Sequence, residues 1–393
     1  MFDVSANVRS VYIHWPFCPY RCTFCPFVAF SSHEEYMGRY HDCLCKEIER
    51  FETLKERQIE TLYIGGGTPS TYPSNLLLDM FGKLRGKFNF SKIREVTIEL
   101  NPGTVVRDDL KLWCSLGINR LSVGIQSLND KVLSTLNRRQ KSEDVYSLLK
   151  MAPIYFSNIS VDLIIGLPGV SDDEWKKYMR EVVSWPITHV SIYFLSVHEE
   201  TKLYFGVKSK KIMLPTDDRI VSLYKWSADF LASKGFERYE ISSFARSGYQ
   251  SIHNKIYWDR VPYKAFGISG CSFDGKTRFK NEAKLVPYFE KIDRGDDTEV
   301  YSEVIEKEQV LLEILMLGLR QERGIRIKEI LSYYSEQEKK ELLSLISDLK
   351  IKGFVDFDGK ILRLFSKGIP LENEIVLKLF QIKDGRKNLS DRF

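Results

Sequence analysis

The sequence predicts an α/β protein: a partial TIM-type barrel of six strand–helix units, (β/α)6, followed by a mostly helical, winged-helix-like C-terminal domain. Three observations carry this expectation. Short β-branched runs alternate with longer helical patterns through the first 205 residues, the alternation weakens after that point, and the end of the chain reads as helices followed by a hairpin.

The strand candidates are Val11 to Trp15, Thr61 to Ile64, Glu95 to Leu100, Arg120 to Ile125, Ile159 to Ile165 and His189 to Phe194. Helical patterns lie between them at 33–54, 74–87, 106–116, 129–150 and 171–184. Strands joined by crossover helices form a parallel sheet with right-handed connections, and such a sheet carries its chemistry on the loops that follow the strands. Residues 216–234 read as one more helix, 236–300 as a mixed segment with short strands, and "EVIEKEQVLLEILMLGLR" (303–320) as a strongly apolar helix. Helices near 326–333 and 337–352 precede "GFVDFDGKILRL", a hairpin turning at Asp358-Gly359. The expected organisation is a barrel core over 1–205, a barrel extension over 206–302, a winged-helix-like domain over 303–370 and a tail over 371–393. The second helix of that domain carries Glu336, Glu338, Glu341 and Asp348, which suits packing or protein partners rather than DNA.

Composition narrows the function classes. A net charge of +5, from 58 basic and 53 acidic residues, with no long basic run, leaves nucleic acid out of the expected partners. No stretch approaches 18 consecutive apolar residues, and "MFDVSANVRS" has neither the charged nor the apolar region of a signal peptide. The expected location is the cytoplasm, the reducing compartment where free thiols survive.

"HWPFCPYRCTFCPF" (14–27) places Cys18, Cys22 and Cys25 as C-x3-C-x2-C in a chain with only seven cysteines. A disulfide cannot use three thiols, and Pro16, Pro19 and Pro26 mark the segment as a loop, which leaves a metal. Structural zinc takes four ligands, usually as two separated pairs, and the nearest other thiols, Cys43 and Cys45, fall in a helical pattern. Three thiolates on one short loop can hold three corners of a [4Fe-4S] cluster and leave one iron open; zinc or a chance grouping is the alternative. "GGGTPS" (65–70) has no following Lys and is not a Walker loop, but three glycines let backbone amides approach a ligand closely. Glu99 in "VTIELNPG" and Asp162 in "SVDLIIGLPG" are carboxylates inside apolar runs and need partners, either a ligand or a structural salt bridge.

"YIHWPFC" with its three cysteines, "IGGGTPS", "IELNPGT", "NRLSVGIQS", "DLIIGLPG", "YEISSFA" and "HNKIYW" together resemble the radical S-adenosyl-L-methionine (SAM) enzymes, in which the open iron chelates SAM. Within them they resemble the oxygen-independent coproporphyrinogen oxidase group, and its HemW-type heme chaperone branch best. The resemblance implies a [4Fe-4S] cluster on Cys18, Cys22 and Cys25. It places Tyr12 near the SAM sulfonium, Phe24 between the last two cluster cysteines, and Gly66, Gly67 and Thr68 at the amino end of SAM. Glu99, Gln126, Arg138 and Asp162 become polar SAM contacts. His253 in "HNKIYW" (253–258) becomes a heme ligand, with Tyr257 and Trp258 as flat apolar surface; from the residues alone a packed histidine is the simpler reading. The implied function is a heme chaperone serving an acceptor protein, with homodimerisation and peripheral membrane association through the acceptor as further expectations. The alternatives are an oxidase that decarboxylates coproporphyrinogen III to protoporphyrinogen IX, or another radical SAM enzyme acting on a tetrapyrrole, and the resemblance leaves open whether the chain is an enzyme. Two positions depart from the HemW pattern: Pro26 stands where relatives usually carry Asp, and Cys271 where they often have His. The fourth cysteine usual just after the cluster loop of the oxidase branch is missing here.

Overall fold

Alternation along the strands sets the two faces of the barrel. In the computed structural model, which describes residues 2–3, 6–52 and 54–384, six parallel strands form in the predicted order. They are β1 (Ser10–Trp15), β2 (Thr61–Gly66), β3 (Glu95–Leu100), β4 (Arg120–Gln126), β5 (Ile159–Ile165) and β6 (His189–Phe194). Val11, Ile13 and Trp15 on β1, and Ile159, Val161, Leu163 and Ile165 on β5, form one buried apolar face. Their neighbours in sequence point the other way, and adjacent strands bond through them. Thr61 Oγ1 donates to Ser10 Oγ (2.9 Å), Tyr63 OH to Glu99 Oε1 (2.8 Å) and Ser122 Oγ to Asp162 Oδ2 (2.9 Å), while Ser160 Oγ meets His189 Nδ1 (2.8 Å). The lumen is therefore lined by hydroxyls, carboxylates and imidazoles, where a filled TIM barrel stacks Val, Ile and Leu.

Helices α1 (Met37–Arg50), α2 (Ser74–Lys87) and α3 (Arg107–Leu116) follow the first three strands. The predicted helix 129–150 is two: α4 (Asp130–Thr135), capped by Asn129 Oδ1 on the amides of Lys131 and Val132, and α5 (Ser142–Met151). Asn137 has φ 55°, a left-handed conformation that ends α4 and opens a short turn carrying Arg138. α6 (Asp172–Val182) begins with the Ser171/Glu174 capping box, and α7 spans Asp217–Ser233.

The chain divides into two units, residues 1–236 with 245–303, and 237–244 with 304–393. In the first, β7 (Tyr263–Phe266) pairs parallel to β1 on the side away from β2 and continues antiparallel into β8 (Cys271–Phe273) and β9 (Thr277–Asn281). One buried carboxylate binds this extension to α1. Glu47 accepts from the Gly267 amide (2.9 Å), Asn281 Nδ2 (2.7 Å), Tyr288 OH (2.6 Å) and Thr298 Oγ1 (3.1 Å). The "HNKIYW" segment forms α8 (Ile252–Trp258), whose first turn sits on another carboxylate: Glu95 accepts from the amides of Ile252 (2.8 Å) and His253 (3.1 Å).

The second unit has the winged-helix order that the sequence predicts. Helix Lys307–Leu319 leads through strand Ile325–Arg326 to helices Ile327–Leu331 and Glu336–Ile351, then to a hairpin of Val355–Phe357 and Ile361–Leu364. Gly359 (φ 88°) makes the turn, and Asp358 Oδ1 accepts from the amides of Lys360 and Ile361. The expected tail corrects to a helix, Glu372–Asp384, with Ile375, Val376 and Leu379 buried; residues 385–393 of that tail lie outside the described residues. Residues 1, 4 and 5 of "MFDVSANVRS" do as well.

Glu47→Ala would strand four buried donors at once. At about 1–3 kcal/mol per unsatisfied group, it is expected to lower unfolding stability by at least about 3 kcal/mol, read as a lower urea midpoint with an unchanged slope.

Candidate functional site

The cysteine loop begins where β1 ends and is pinned at its base by backbone bonds, Cys18 N to Phe30 O (2.9 Å) and Phe30 N to Pro16 O (2.7 Å). Arg21 folds the loop on itself by donating to Ala29 O (2.9 Å) and Cys25 O (3.1 Å). The α4–α5 turn holds it from outside: Thr23 N donates to Leu136 O (2.9 Å) and Asn137 Nδ2 to Arg21 O (2.7 Å). Phe24 anchors the loop in an apolar cluster of Val132, Leu136, Ile164 and Leu167. His14 completes the support from β1, with Nε2 on Val28 O (3.0 Å); burial pushes its pKa down to about 4 and keeps it neutral.

The glycine loop after β2 lies directly against this one. Gly67 N donates to Trp15 O (2.7 Å) and Thr68 N to Phe17 O (2.9 Å). A Cβ on Gly67 would sit 2.8 Å from Phe17 O and Pro16 C, and one on Gly66 2.8 Å from the His14 ring. Gly66 also has φ 118°, which favours glycine on conformational grounds. Thr68 Oγ1 donates to Cys18 Sγ (3.2 Å). Burial nevertheless pushes the Cys18 thiol up to about 11, with smaller contributions from the neighbouring Cys25 and Cys22, and burial also raises Cys25.

Opposite stand the polar groups of β3, β4 and β5. Glu99 accepts from Tyr63 OH and from the Gly66 amide (3.1 Å), yet burial outweighs these bonds and lifts its pKa to about 7. Asp162 is also raised, first by burial; Ser122 serves its Oδ2, and its buried Oδ1 has no hydrogen bond of good geometry although Ser191 stands near. Arg138 reaches in from the α4–α5 turn and donates to Asn101 Oδ1 (2.8 Å), Gln140 Oε1 (3.0 Å) and Gly124 O, with Cys22 Sγ 3.8 Å away. Gln126 follows a β-bulge with φ 67°, a conformation that non-glycine residues adopt at a cost and that turns its side chain toward the lumen.

These groups converge on one cavity of about 420 Å3, at the end of the barrel where the strands finish. Cys18, Cys22, Cys25, Phe24, Gly66, Gly67, Thr68, Glu99, Gln126, Arg138 and Asp162 all line it. Three half-buried thiols on a single wall are the donor set a [4Fe-4S] cluster requires, so the residues present fit that group. Sequence reasoning missed Arg21 and Ser122 in the same lining. Asn101, the first residue after β3, falls on a loop that strand order alone assigns to this end of the barrel.

Two predicted residues lie elsewhere. Tyr12 stacks on Tyr63 (6.0 Å between centroids) with its hydroxyl 3.2 Å from His14 Nδ1, and it does not line the cavity. His253 is buried near the beginnings of β1 and β2. Its Nδ1 lies 2.9 Å from both Ser10 Oγ and Thr61 Oγ1, its Nε2 2.8 Å from Tyr257 OH, and its ring stacks on Tyr63 at 4.7 Å. Burial pushes its pKa down to about 3. Both nitrogens are engaged, so the ring as it stands has nothing to give an iron, and the expectation that it ligates heme finds no support in this geometry. Cys271, on β8, is exposed and outside the cavity lining.

Two substitutions test this arrangement. Gly67→Ala forces backbone against backbone, and it is expected to abolish iron–sulfur absorbance after anaerobic reconstitution as completely as Cys22→Ser does, with helix content retained. His253→Ala is expected to lower stability by about 2–3 kcal/mol by orphaning Ser10, Thr61 and Tyr257, while heme titration of the folded variant stays unchanged. Loss of heme binding at unchanged stability would make the imidazole a ligand.

The radical SAM superfamily profile matches residues 12–182 and the HemN C-terminal domain matches 305–371. The chain is 30% identical over 374 residues to heme chaperone HemW of Bacillus subtilis, covering 94% of this chain and 98% of that one. It is 28% identical over 371 residues to heme chaperone HemW of Lactococcus lactis, covering 94% and 97%. A mitochondrial radical S-adenosyl methionine domain-containing protein 1 of Danio rerio is 29% identical over 386 residues, covering 93% and 86%. Among solved structures, coproporphyrinogen III oxidase (HemN) from Escherichia coli superposes with a TM-score of 0.82 over 95% of this chain and 90% of that one. Its sequence identity is 23%, and what this likeness shows is a common fold. With the cysteine trio, the glycine loop and the full-length relatives in agreement, the chain belongs to the HemW heme chaperone family of the radical SAM superfamily.

Proposed function

We propose that this protein binds heme and delivers it to an acceptor protein, and that it keeps a working site for a [4Fe-4S] cluster and SAM. The observation that carries the first half is the end-to-end relationship to the Bacillus subtilis heme chaperone HemW, at 30% identity across 98% of that relative. The second half is supported by the single cavity that collects the cysteine trio, the glycine loop and the polar wall. A reducing compartment, the cytoplasm, suits such a site. Among the described residues no helix is long and apolar enough to cross a membrane. The comparisons give no support to a homodimer or to membrane association.

In this reading Cys18, Cys22 and Cys25 hold the cluster, which when bound supplies a one-electron donor and an open iron corner. The chain's own groups do the rest. Gly66 and Gly67 present backbone at contact distance, and Phe24 with Ile164 keeps one side of the cavity apolar. Arg138, held by three acceptors, is placed for a carboxylate. Asp162 brings an oxygen with an unused lone pair, and Glu99 a carboxyl near half protonation at neutral pH.

Glu99 gives a sign that can be measured. With a pKa of about 7 it carries roughly half a proton at pH 7, and a ligand with a fixed positive charge such as a sulfonium favours the ionised form, so ligand binding drives the remaining proton off. SAM binding to the cluster-loaded protein near pH 7 is therefore expected to release a fraction of a proton, seen as a binding enthalpy that varies with the buffer's ionisation heat. Glu99→Gln should reduce that variation, leaving only the proton lost by an amine that binds iron.

The function itself is tested by titrating the cluster-loaded protein with heme while following the Soret band, and by incubating it anaerobically with SAM, reductant and coproporphyrinogen III. Stoichiometric heme binding, transfer to an acceptor and no protoporphyrinogen are expected. Turnover of coproporphyrinogen without heme binding would overturn the reading in favour of the oxidase.

A further inference from the structure

We infer that α1 and α2 carry a second metal site, formed by His41, Cys45 and Asp79 and suited to one Zn2+ or a similar borderline divalent ion. His41 and Cys45 stand four residues apart on one face of α1, and Asp79 meets them from α2. Cys45 Sγ lies 3.5 Å from His41 Nε2 and 3.6 Å from Asp79 Oδ2, and those two atoms are 3.1 Å apart. A tetrahedral zinc with ordinary bond lengths, about 2.3 Å to sulfur and about 2.0 Å to nitrogen and oxygen, requires roughly 3.5–3.6 Å for the pairs with sulfur and about 3.3 Å for the third. The trio is thus spaced for coordination within a few tenths of an ångström, with donors of the three types zinc accepts.

The surroundings fit an ion as well. Tyr72 OH lies 2.9 Å from His41 Nδ1, so Nδ1–H can donate there and direct the Nε2 lone pair at the other two ligands, the arrangement usual for a metal-bound imidazole. Tyr72 is itself fixed by stacking on Trp15 at 3.7 Å. His41 and Cys45 are buried, while the Asp79 side chain is 53% exposed, which leaves an entry path and room for water as a fourth ligand. Without an ion, burial and the Asp79 charge push the Cys45 thiol up to about 12, so the trio alone is no activated nucleophile and an ion has to displace that proton. The position gives the site a purpose. Tyr72 follows the glycine loop and Trp15 precedes the cysteine loop, so an ion here braces the two helices directly behind both.

The test uses the full-length chain with Cys18, Cys22 and Cys25 replaced by Ser, which removes the three clustered thiols of the cavity, and Co2+ as the probe. One equivalent is expected to bind with a thiolate charge-transfer band and tetrahedral visible bands, displaced by Zn2+. Cys45→Ser should abolish the charge-transfer band, His41→Gln or Asp79→Asn should weaken binding at least tenfold, and Tyr72→Phe by about tenfold. A folded chain that takes up no cobalt, or uptake indifferent to Cys45→Ser and His41→Gln, overturns the proposal. Should the triple-serine chain not fold, zinc K-edge absorption on the cluster-loaded wild type decides: one sulfur with nitrogen and oxygen neighbours supports the site, and no bound zinc overturns it.

Discussion

Everything at this centre depends on two backbone segments touching with no side chain between them. Gly67 and Thr68 donate to the carbonyls of Trp15 and Phe17, and at Gly67 a single methyl group would meet main-chain atoms at 2.8 Å. Main chain cannot yield as a flexible side chain can, so the contact needs glycine. The ladder continues the pairing of β1 with β2 past the strand ends, carrying the rigidity of the sheet into the loops. It is how the mouth of an irregular, proline-rich segment comes to hold three thiols on one wall.

The polar lumen follows from the same economy of bonding. Hydroxyls and carboxylates facing inward would each be destabilising if unpaired, and the parallel register pairs them across strands: Ser10 with Thr61, Ser160 with His189. At the beginnings of the strands Ser10, Thr61, Ser160 and His189 all find partners, and the amides of α8 satisfy Glu95. At the other end the pairing is left incomplete, at Asp162 Oδ1 and in the raised pKa of Glu99. The unmet carboxylate oxygen of Asp162 and the carboxyl of Glu99 both face the cavity, which is where a ligand is expected.

Strand order, the cysteine loop and the glycine loop were legible because each is local: a period of two, a spacing of thiols, a run of glycines. The interruption between α4 and α5 was not, because "STLNRRQKS" keeps enough helical character to mask it, and the left-handed Asn137 shows only in the backbone. That interruption is what delivers Arg138. The surroundings of His253 were hidden for the opposite reason. Its motif resembled a family's heme segment, whereas its burial and partners on β1 and β2 are tertiary facts. The helix over Glu372–Asp384 likewise owes its existence to packing, with Leu379 fully buried, more than to any pattern visible in isolation. The trio of His41, Cys45 and Asp79 shows half of itself in the sequence, the i, i+4 pair, and hides the half that comes from another helix.

Aromatic surface surrounds the mouth of the cavity. Phe27, 63% exposed, follows the last cysteine by two residues, and Tyr193 and His198 stand at the same opening. The far end of the lumen is occupied by α8, seated on Glu95 and on the hydroxyls of Ser10 and Thr61. The lumen is thus closed beneath its first three strands and open at the cysteine end, so anything that reaches the three thiols must pass the exposed aromatic rim at Phe27 and Tyr193.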